Sequence, residues 1–483
     1  MGAVTEQKYP ELPLESRGAW RSLIALCVGF FMILLDQTIV AVATPDLQDQ
    51  LNASYNQVIW VTSIYLLFFA VPLLVTGRLG DRYGPKNVYI VGMVIFTLSS
   101  LACSYSVTIE WLILSRAVQG LGAALLTPQT MSVINRVFPR EKRGAALGVW
   151  GAVAGLSTML GPILGGVITS SLNWHWIFLV NVPIGIVSIV LVALWVPPFE
   201  PTDKPIDGPS MLLSMVSVSL IIFAIQQGET VRWAWWIWAL VLAGVLVGAL
   251  FFRRQSRLTH AAGSANRDAV LPTTLFSRRS FSMGNVAIFT MGFATASMML
   301  PLMMYLQQVH HLSAMTAVLY VVPMSLLALP LSPFVGWLID RMDARPLAVT
   351  GFFFMVAGIV GLYLVLRPGA APAAIIVPML LLGVGNSAVW SPNSAMTLRD
   401  LPATLAGAGS GAYNTIRQVG AVTGVAVVGA VIQIRLPHYA TEGPEAIAHA
   451  FGQSMLPIAA ALLVGLVATM ASGKSEPGPA HRN

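Results

Sequence analysis

Charged residues are scarce in this chain, and that scarcity argues against a soluble globular protein. Only 10% of the residues are Asp, Glu, Lys or Arg, whereas a typical soluble domain has about 25%. The two cysteines, Cys27 and Cys103, lie in apolar segments, which does not indicate a disulfide framework. The sequence also lacks a P-loop, a nucleophile elbow and zinc-ligand spacing. We therefore expect no enzyme activity, no metal and no cofactor.

Apolar residues make up 56% of the chain and fall into blocks of bilayer-spanning length. This pattern predicts an all-α polytopic membrane protein. We expect fourteen spans, at residues 20–42, 57–76, 87–104, 111–134, 144–168, 176–196, 210–227, 233–252, 281–306, 314–335, 346–366, 372–395, 405–431 and 451–472.

Lys and Arg fall mostly in alternate loops, on one side of these spans. The positive-inside rule then predicts that both termini lie in the cytoplasm. The net charge of +7 is therefore a topology signal, and we expect the bilayer, not nucleic acid, as a partner. A cytoplasmic (inner) membrane location and a monomeric state are the corresponding expectations.

A weak internal repeat relates the two halves of the chain. Gly77–Lys86 follows the second span, and the similar Gly336–Arg345 follows the tenth. Two six-helix units related in this way are typical of secondary transporters, whose substrate site lies between the halves. The predicted division is a tail at 1–19, a bundle at 20–196, an insertion of two spans with a basic loop at 197–280, a bundle at 281–472 and a tail at 473–483.

Asp36 lies inside the first span, in a run otherwise nearly free of charge. A carboxylate at membrane depth is costly unless it pairs or titrates, so Asp36 is a candidate functional residue. The alternative is an acid that only hydrogen-bonds neighbouring helices.

Arg116 lies inside the fourth span and keeps its charge, so it needs a counter-charge in low dielectric. The helical rise puts Asp36 roughly 24 Å and Arg116 roughly 30 Å from the inner ends of their spans. This shared depth suggests that Arg116 tunes the proton affinity of Asp36, and that substrate and proton compete for one carboxylate. Alternatively, Arg116 satisfies backbone carbonyls and only positions helices.

Four motifs stand out in the first six spans, at Leu35–Pro45, Gly77–Lys86, Leu112–Ala124 and Gly151–Gly166. On these motifs the chain resembles the major facilitator superfamily, and within it the fourteen-span drug:proton antiporter family of multidrug efflux pumps. The resemblance implies two six-helix bundles with two extra helices, and proton coupling at Asp36 and Arg116. Ala41, Thr44, Pro85 and Ser157 depart from the family pattern, but the acid is intact.

The resemblance also implies a cytoplasmic latch that must break during cycling. Its residues are Gly77, Gly80, Asp81, Arg82, Gly84 and Lys86. We expect Asp81 at the start of the third span, with Arg82 or a residue of the other half as an alternative partner. On spacing alone, the segment also fits a solvated turn whose charges set topology.

The motif in the fifth span is associated with exporters in this family. The implied helix-packing and antiporter residues are Gln119 and Gly120 of the fourth span and Gly155, Gly161, Pro162, Gly165 and Gly166 of the fifth. Glycines let helices approach closely, and a Gly-Pro pair breaks the helical ladder.

Arg417 is a second cation inside a span. With Asp36 as the one deep acid, the midplane is net positive. We therefore expect a neutral, zwitterionic or weakly charged substrate. Possible substrate or charge-pairing residues are Thr38, Asn414, Arg417 and Gln418. Methionines around the ninth and tenth spans fit either promiscuous binding or ordinary packing.

The sequence as a whole predicts an exporter of drugs, antibiotics or small amphipathic metabolites that exchanges substrate for protons by alternating access. The coupling ion would be H+. A proton symporter importing a metabolite on the same fold is the main alternative. A membrane enzyme on a lipid-linked substrate and a non-transporting sensor have less support.

Overall fold

The structure is a computed structural model, and it is helical nearly throughout. It describes residues 14–53, 55–139, 142–200, 207–228, 231, 233–261, 269–399, 401, 405–440 and 447–473. The tails predicted at 1–19 and 473–483 lie largely outside this part of the chain.

In the part of the chain that the structure describes, the first half comprises nine helices, which are α1 (Ser16–Val42), α2 (Thr44–Gln50), α3 (Tyr55–Ala70), α4 (Leu73–Tyr83), α5 (Pro85–Ser104), α6 (Ile109–Val137), α7 (Arg143–Ser171), α8 (His175–Leu179) and α9 (Asn181–Trp195). The inserted pair is α10 (Gly208–Gly228) and α11 (Trp235–Ala261). The second half comprises α12 (Thr274–Ser277), α13 (Arg279–Ser297), α14 (Met299–Met304), α15 (Ala314–Ile339), α16 (Ala344–Val365), α17 (Ile376–Leu398), α18 (Ala406–Ala440), α19 (Ile447–Gln453) and α20 (Met455–Ala471).

Each predicted span coincides with one of these helices or with two in succession. Within the described residues, twelve helices are long and apolar enough to cross a bilayer, or thirteen with the pair α3–α4. That pair bends by 46°, where Pro72 precedes α4 and cannot continue the hydrogen-bond ladder of α3. The all-helical membrane fold is confirmed, whereas the count of fourteen and the orientation stay predictions.

The two halves pack their helices in the same pattern, as the internal repeat predicts. In the first half α5 packs on α6, α1 on α7, and α3 on α6. In the second half the equivalent pairs are α16 on α17, α13 on α18, and α15 on α17. Between the halves, α7 packs on α15 and α4 packs on α18, which are also equivalent pairs. A twofold-like relation therefore governs the interface.

Among the described residues, the halves meet closely at the end where α1 begins. There a Cβ added to Gly77 of α4 would lie 2.3 Å from the Gly407 carbonyl oxygen of α18. A Cβ on Gly148 of α7 would lie 2.7 Å from the Ser332 carbonyl oxygen of α15. Further along α7, a Cβ on Gly155 would meet nothing within 4 Å. The halves thus diverge away from this closed end.

The inserted helix α10 lies against both halves. It packs on α3, α4 and α18, and a small cluster of Ala70, Ile222 and Val422 joins the three sides. At its start, two hydrogen bonds of 2.8 Å from Arg254 of α11 hold Asp207. Those bonds lower the pKa of Asp207 to about 2. The contribution of the Asp207–Arg254 pair to the free energy of unfolding is therefore complete above the pKa of Asp207 in the unfolded chain, about 3.9. It is lost as the pH falls through the folded-state pKa of about 2.

The glycine contacts give a test of the closed end. We expect Gly77→Ala to push the halves apart there, because backbone atoms occupy the site of the new Cβ. Gly155→Ala is the matched control. Spin labels on Tyr83→Cys and Met342→Cys, at sites 50% and 45% exposed, report the separation, since Cys27 and Cys103 are buried. The Gly77 variant should lengthen the mean distance, and an unchanged distance in folded protein would refute the packing account.

Candidate functional site

A fully buried ion pair lies at the centre of the first half. Arg116 Nη1 is 2.6 Å from Asp36 Oδ2, and both side chains have no exposed surface. The other oxygen, Oδ1, accepts from Gln119 Nε2 at 3.1 Å and from Asn181 Nδ2 at 2.9 Å. The carboxylate therefore joins α1 to α6 and α9. In the structure, Asp36 supplies the counter-charge that the sequence analysis expected for Arg116.

The local sequence of α6 explains where the Arg116 guanidinium lies. Arg116 and Gln119 are three residues apart, so they share a helix face, and Arg116 also donates to Gln119 Oε1 at 2.8 Å. A Cβ on Gly120 would lie 2.5 Å from the Tyr65 carbonyl oxygen, so this glycine lets α3 approach. Arg116 then reaches the Val61 carbonyl at 3.3 Å and the Tyr65 ring at 4.1 Å.

Asn181 and Tyr65 are site residues that the sequence analysis did not assign. Asn181 is the first residue of α9 and also donates to Ser100 at 3.1 Å. It is a polar residue near the start of an apolar span, which was the available signal. Tyr65 carried no comparable signal, because aromatic residues are common in membrane helices.

A cavity of about 680 Å³ lies between the halves, beyond the closed end. Arg116 and Tyr65 line it, whereas Asp36 does not. Direct competition between substrate and proton for the carboxylate therefore does not follow from this geometry. Asp36 can influence the cavity through Arg116.

The other predicted substrate residues divide into two groups. Thr38, Arg417 and Gln418 line the cavity. Asn414 does not line it, and its side chain donates to the Ser410 carbonyl of its own helix at 2.9 Å. Ile225 and Gln226 of the inserted helix α10 also line the cavity, which the sequence did not reveal. Met298, Met299 and Met303 contribute as well, so part of the methionine cluster does face the cavity.

The Gly151–Gly166 segment of α7 both contacts α1 and lines the cavity. A Cβ on Gly161 would lie 1.8 Å from Thr38 Oγ1, so Gly161 lets α7 lie against α1. Gly155 lines the cavity. Pro162, Gly165 and Gly166 lie within α7, and the Gly165 carbonyl accepts from Thr169 at 2.8 Å.

Asp81 joins the two halves at the closed end. It lies near the end of α4, and its oxygens accept from the backbone N–H groups of Gly407 and Ala408, each at 3.0 Å. These donors open α18 in the other half, so the carboxylate caps a distant helix N-terminus, not that of the third span. Arg136 Nη2 is 2.9 Å from the same carboxylate, whereas Arg82 lies over the Tyr83 ring.

The remaining predicted latch residues act within the first half. A Cβ on Gly80 would clash with Gln129, which bonds α6 to α4. Gly84 has φ +85° between α4 and α5, a conformation that favours glycine. Lys86 donates to the carbonyls of Ala193 and Val196, both at 2.7 Å, at the end of α9.

Asp340 makes the equivalent joint from the second half. It lies directly after α15, and its oxygens accept from Gly144 N at 2.7 Å and Ala145 N at 2.9 Å. These donors open α7, just as Gly407 and Ala408 open α18. The repeat at Gly336–Arg345 was the signal for this residue, although the sequence analysis did not assign it a role.

Two helical halves around a central cavity, closed at one end, define a membrane transporter. The chain belongs to the Major Facilitator Superfamily, which residues 26–210 and 208–425 match. Members of this family are multi-pass membrane transporters of small molecules, not enzymes. Within the described residues, no group of three or more His, Cys, Asp or Glu is arranged to hold a metal.

Similar proteins support this membership. The uncharacterised MFS-type transporter Rv1250 of Mycobacterium tuberculosis is 43% identical over 440 residues, 90% of this chain and 74% of that protein. The riboflavin transporter RibZ of Clostridioides difficile is 31% identical over 84% of this chain and 87% of its own length. The tetracenomycin C resistance and export protein of Streptomyces glaucescens is 30% identical over 86% and 76%. The crystal structure of the human organic anion transporter MFSD10 shares the fold, with TM-score 0.65, 13% identity and coverage of 92% and 99%.

The buried pair predicts a stability pattern. Arg116→Gln leaves an uncompensated carboxylate, so it should lower the free energy of unfolding by about 3–5 kcal/mol. Adding Asp36→Asn should recover most of that loss, because no buried charge is then left unpaired. Denaturant unfolding in detergent measures both, with exposed Arg253→Gln as the control. Additive losses in the double variant would contradict the pairing.

The two interhalf carboxylates predict equivalent effects. Asp81→Ala and Asp340→Ala should each lengthen the distance between spin labels at positions 83 and 342. Each substitution removes the carboxylate that accepts hydrogen bonds from two backbone N–H groups at a helix N-terminus. Asp343→Ala is the matched control, since Asp343 caps α16 within one half. If the control lengthened the distance as much as the other two, the interhalf role would be wrong.

Proposed function

We propose that this protein is a proton-coupled antiporter of the fourteen-span drug:proton antiporter family, acting as a monomer in the cytoplasmic membrane. It exports drugs, antibiotics or small amphipathic metabolites. The observation that carries the proposal is the buried Asp36–Arg116 pair behind the wall of the central cavity. A buried acid whose only strong charge partner faces a transport cavity is suited to couple protons to cargo.

Coupling through Arg116 is the mechanism that this geometry favours. Ionised Asp36 balances the guanidinium and ties α1 to α6 and α9. Protonation removes that balance, so a positive charge in low dielectric must find other acceptors. Because Arg116 lines the cavity, the wall and the packing of three helices change together. Proton and substrate thereby affect each other without sharing one carboxylate.

The two interhalf joints supply the alternating access. Asp81 and Asp340 hold the halves together at the end where α1 begins. With the predicted orientation this end is cytoplasmic, and the structure represents an outward-facing conformation. Cargo entry from the cytoplasm requires both carboxylates to leave their helix N-termini.

The cavity fits a small organic cargo in size and character. About 680 Å³ is typical of a site for a drug-sized molecule. Relatives are named for tetracenomycin C export and for riboflavin transport, which supports an organic cargo of that class. A neutral, zwitterionic or weakly charged molecule suits a wall on which Arg116 and Arg417 are the charged residues described.

Transport in everted vesicles tests the proposal. With an acidic interior, wild type should accumulate tetracenomycin C or riboflavin. Asp36→Asn should reduce uptake to that of vesicles without the protein, because no proton is then carried. Asp49→Asn, which changes an exposed acid at the end of α2, should transport like wild type.

Three other results would contradict the proposal in different ways. Equal uptake by wild type and Asp36→Asn would remove Asp36 from coupling. Gradient-driven loss of cargo from loaded vesicles would indicate a symporter instead. Uptake that ignores the gradient would mean that protons do not drive transport.

A further inference from the structure

Within the described residues, the second half presents one positive charge to the cavity that no acid balances. Among the described lining residues, only Arg116 and Arg417 are charged. Arg116 is balanced by Asp36. Arg417 forms no ion pair and no hydrogen bond with any residue in the described ranges, and its Nε is buried without a partner. Arg417 therefore differs from Arg116, because no described acid balances its charge at the cavity wall.

The backbone around Arg417 is held firmly. A Cβ on Gly292 of α13 would lie 2.1 Å from the Arg417 carbonyl oxygen. Cβ atoms added to Gly420 and Gly424 would likewise clash with the Phe289 and Phe293 carbonyl oxygens of α13. The tight α13–α18 contact therefore fixes the origin of the side chain. A fixed origin suits specific recognition, because less freedom is lost on binding.

An aromatic ring lies beside the Arg417 guanidinium, and apolar side chains line the same cavity. The Trp390 ring centre lies 6.0 Å from Arg417 Cζ, and Trp390 Nε1 donates to Asn386 Oδ1 at 2.8 Å, which orients the indole. Gln418, the next residue, lines the same wall, and Met298 and Met299 add apolar surface. A planar cation beside an indole suits an acid group attached to an aromatic body.

We propose that Arg417 is the anchoring point for the acid group of an aromatic organic anion carried by this transporter. The inference rests on the proposed function, because it takes the cavity as the cargo site. A carboxylate or a similar planar acid accepts two parallel N–H bonds from the guanidinium and supplies the missing counter-charge. The aromatic body then lies against Trp390 and the methionines.

Binding without any proton gradient tests the proposal separately from transport. The probes are anthracene-9-carboxylate and its methyl ester, which differ in the acid and share the aromatic body. Equilibrium binding is measured on the full chain in nanodiscs of neutral lipid. Wild type should bind the acid about 10-fold or more tightly than the ester, the size expected for hydrogen bonds to a charged group.

Three variants attribute the preference to Arg417. Arg417→Gln should abolish it while ester binding stays unchanged, which also shows an intact cavity. Arg417→Lys should keep a reduced preference, because the charge remains but the two-bond geometry is lost. Arg279→Gln, an exposed arginine at the start of α13, should bind both probes like wild type.

Equal wild-type affinity for acid and ester would overturn the proposal, as would a full acid preference in Arg417→Gln. If Arg417→Gln binds neither probe, Arg417→Lys provides the test. An undiminished preference of Arg417→Lys for the acid over the ester would refute recognition by two parallel N–H bonds. An acid preference that depends on Arg417, combined with transport that ignores the proton gradient, would uphold this inference and reject the antiporter. Gradient-driven transport with no acid preference would do the reverse.

Discussion

Arg116 keeps its positive charge in an interior of low dielectric, and the rest of the structure depends on how that charge is balanced. Arg116 lies inside the first half with no exposed surface, and Asp36 provides the balancing charge at 2.6 Å. Satisfying the rest of that carboxylate requires Gln119 and Asn181, so three helices are fixed around one group. In the proposed mechanism, a single proton taken up at Asp36 would change both the helix packing and the cavity wall.

The same chemistry, a carboxylate accepting N–H groups, holds the two halves together. Asp81 and Asp340 each bind the opening N–H groups of a helix in the opposite half, where partial positive charge concentrates. Glycines allow the backbones to meet there. Such joints are strong when closed yet involve few atoms, which suits an interface that must separate and re-form in each cycle.

Much of the fold was predictable, because span length, hydropathy and Lys/Arg placement follow from the bilayer itself. The pairing of Asp36 with Arg116 was accessible from their shared depth, since helical rise is constant. Asn181 was not accessible, because its contact with Asp36 depends on helix rotation across 145 residues of chain. For Asp81 the sequence offered a partner in the other half as an alternative, but it could not identify Gly407 and Ala408. The excess positive charge that includes Arg417 was predictable, because the sequence has two deep arginines and one deep acid. Which arginine is left without a described acid depends on the packed structure.

The central claim is that Asp36 takes up and releases a proton while buried. Infrared difference spectroscopy of wild type and Asp36→Asn in lipid, over a series of pH values, measures this directly through the carboxylic acid C=O stretch. The account predicts a protonated-carboxyl band that grows as the pH falls across the range in which a gradient drives transport, and that is missing from Asp36→Asn. A carboxylate that stays ionised throughout that range would contradict it.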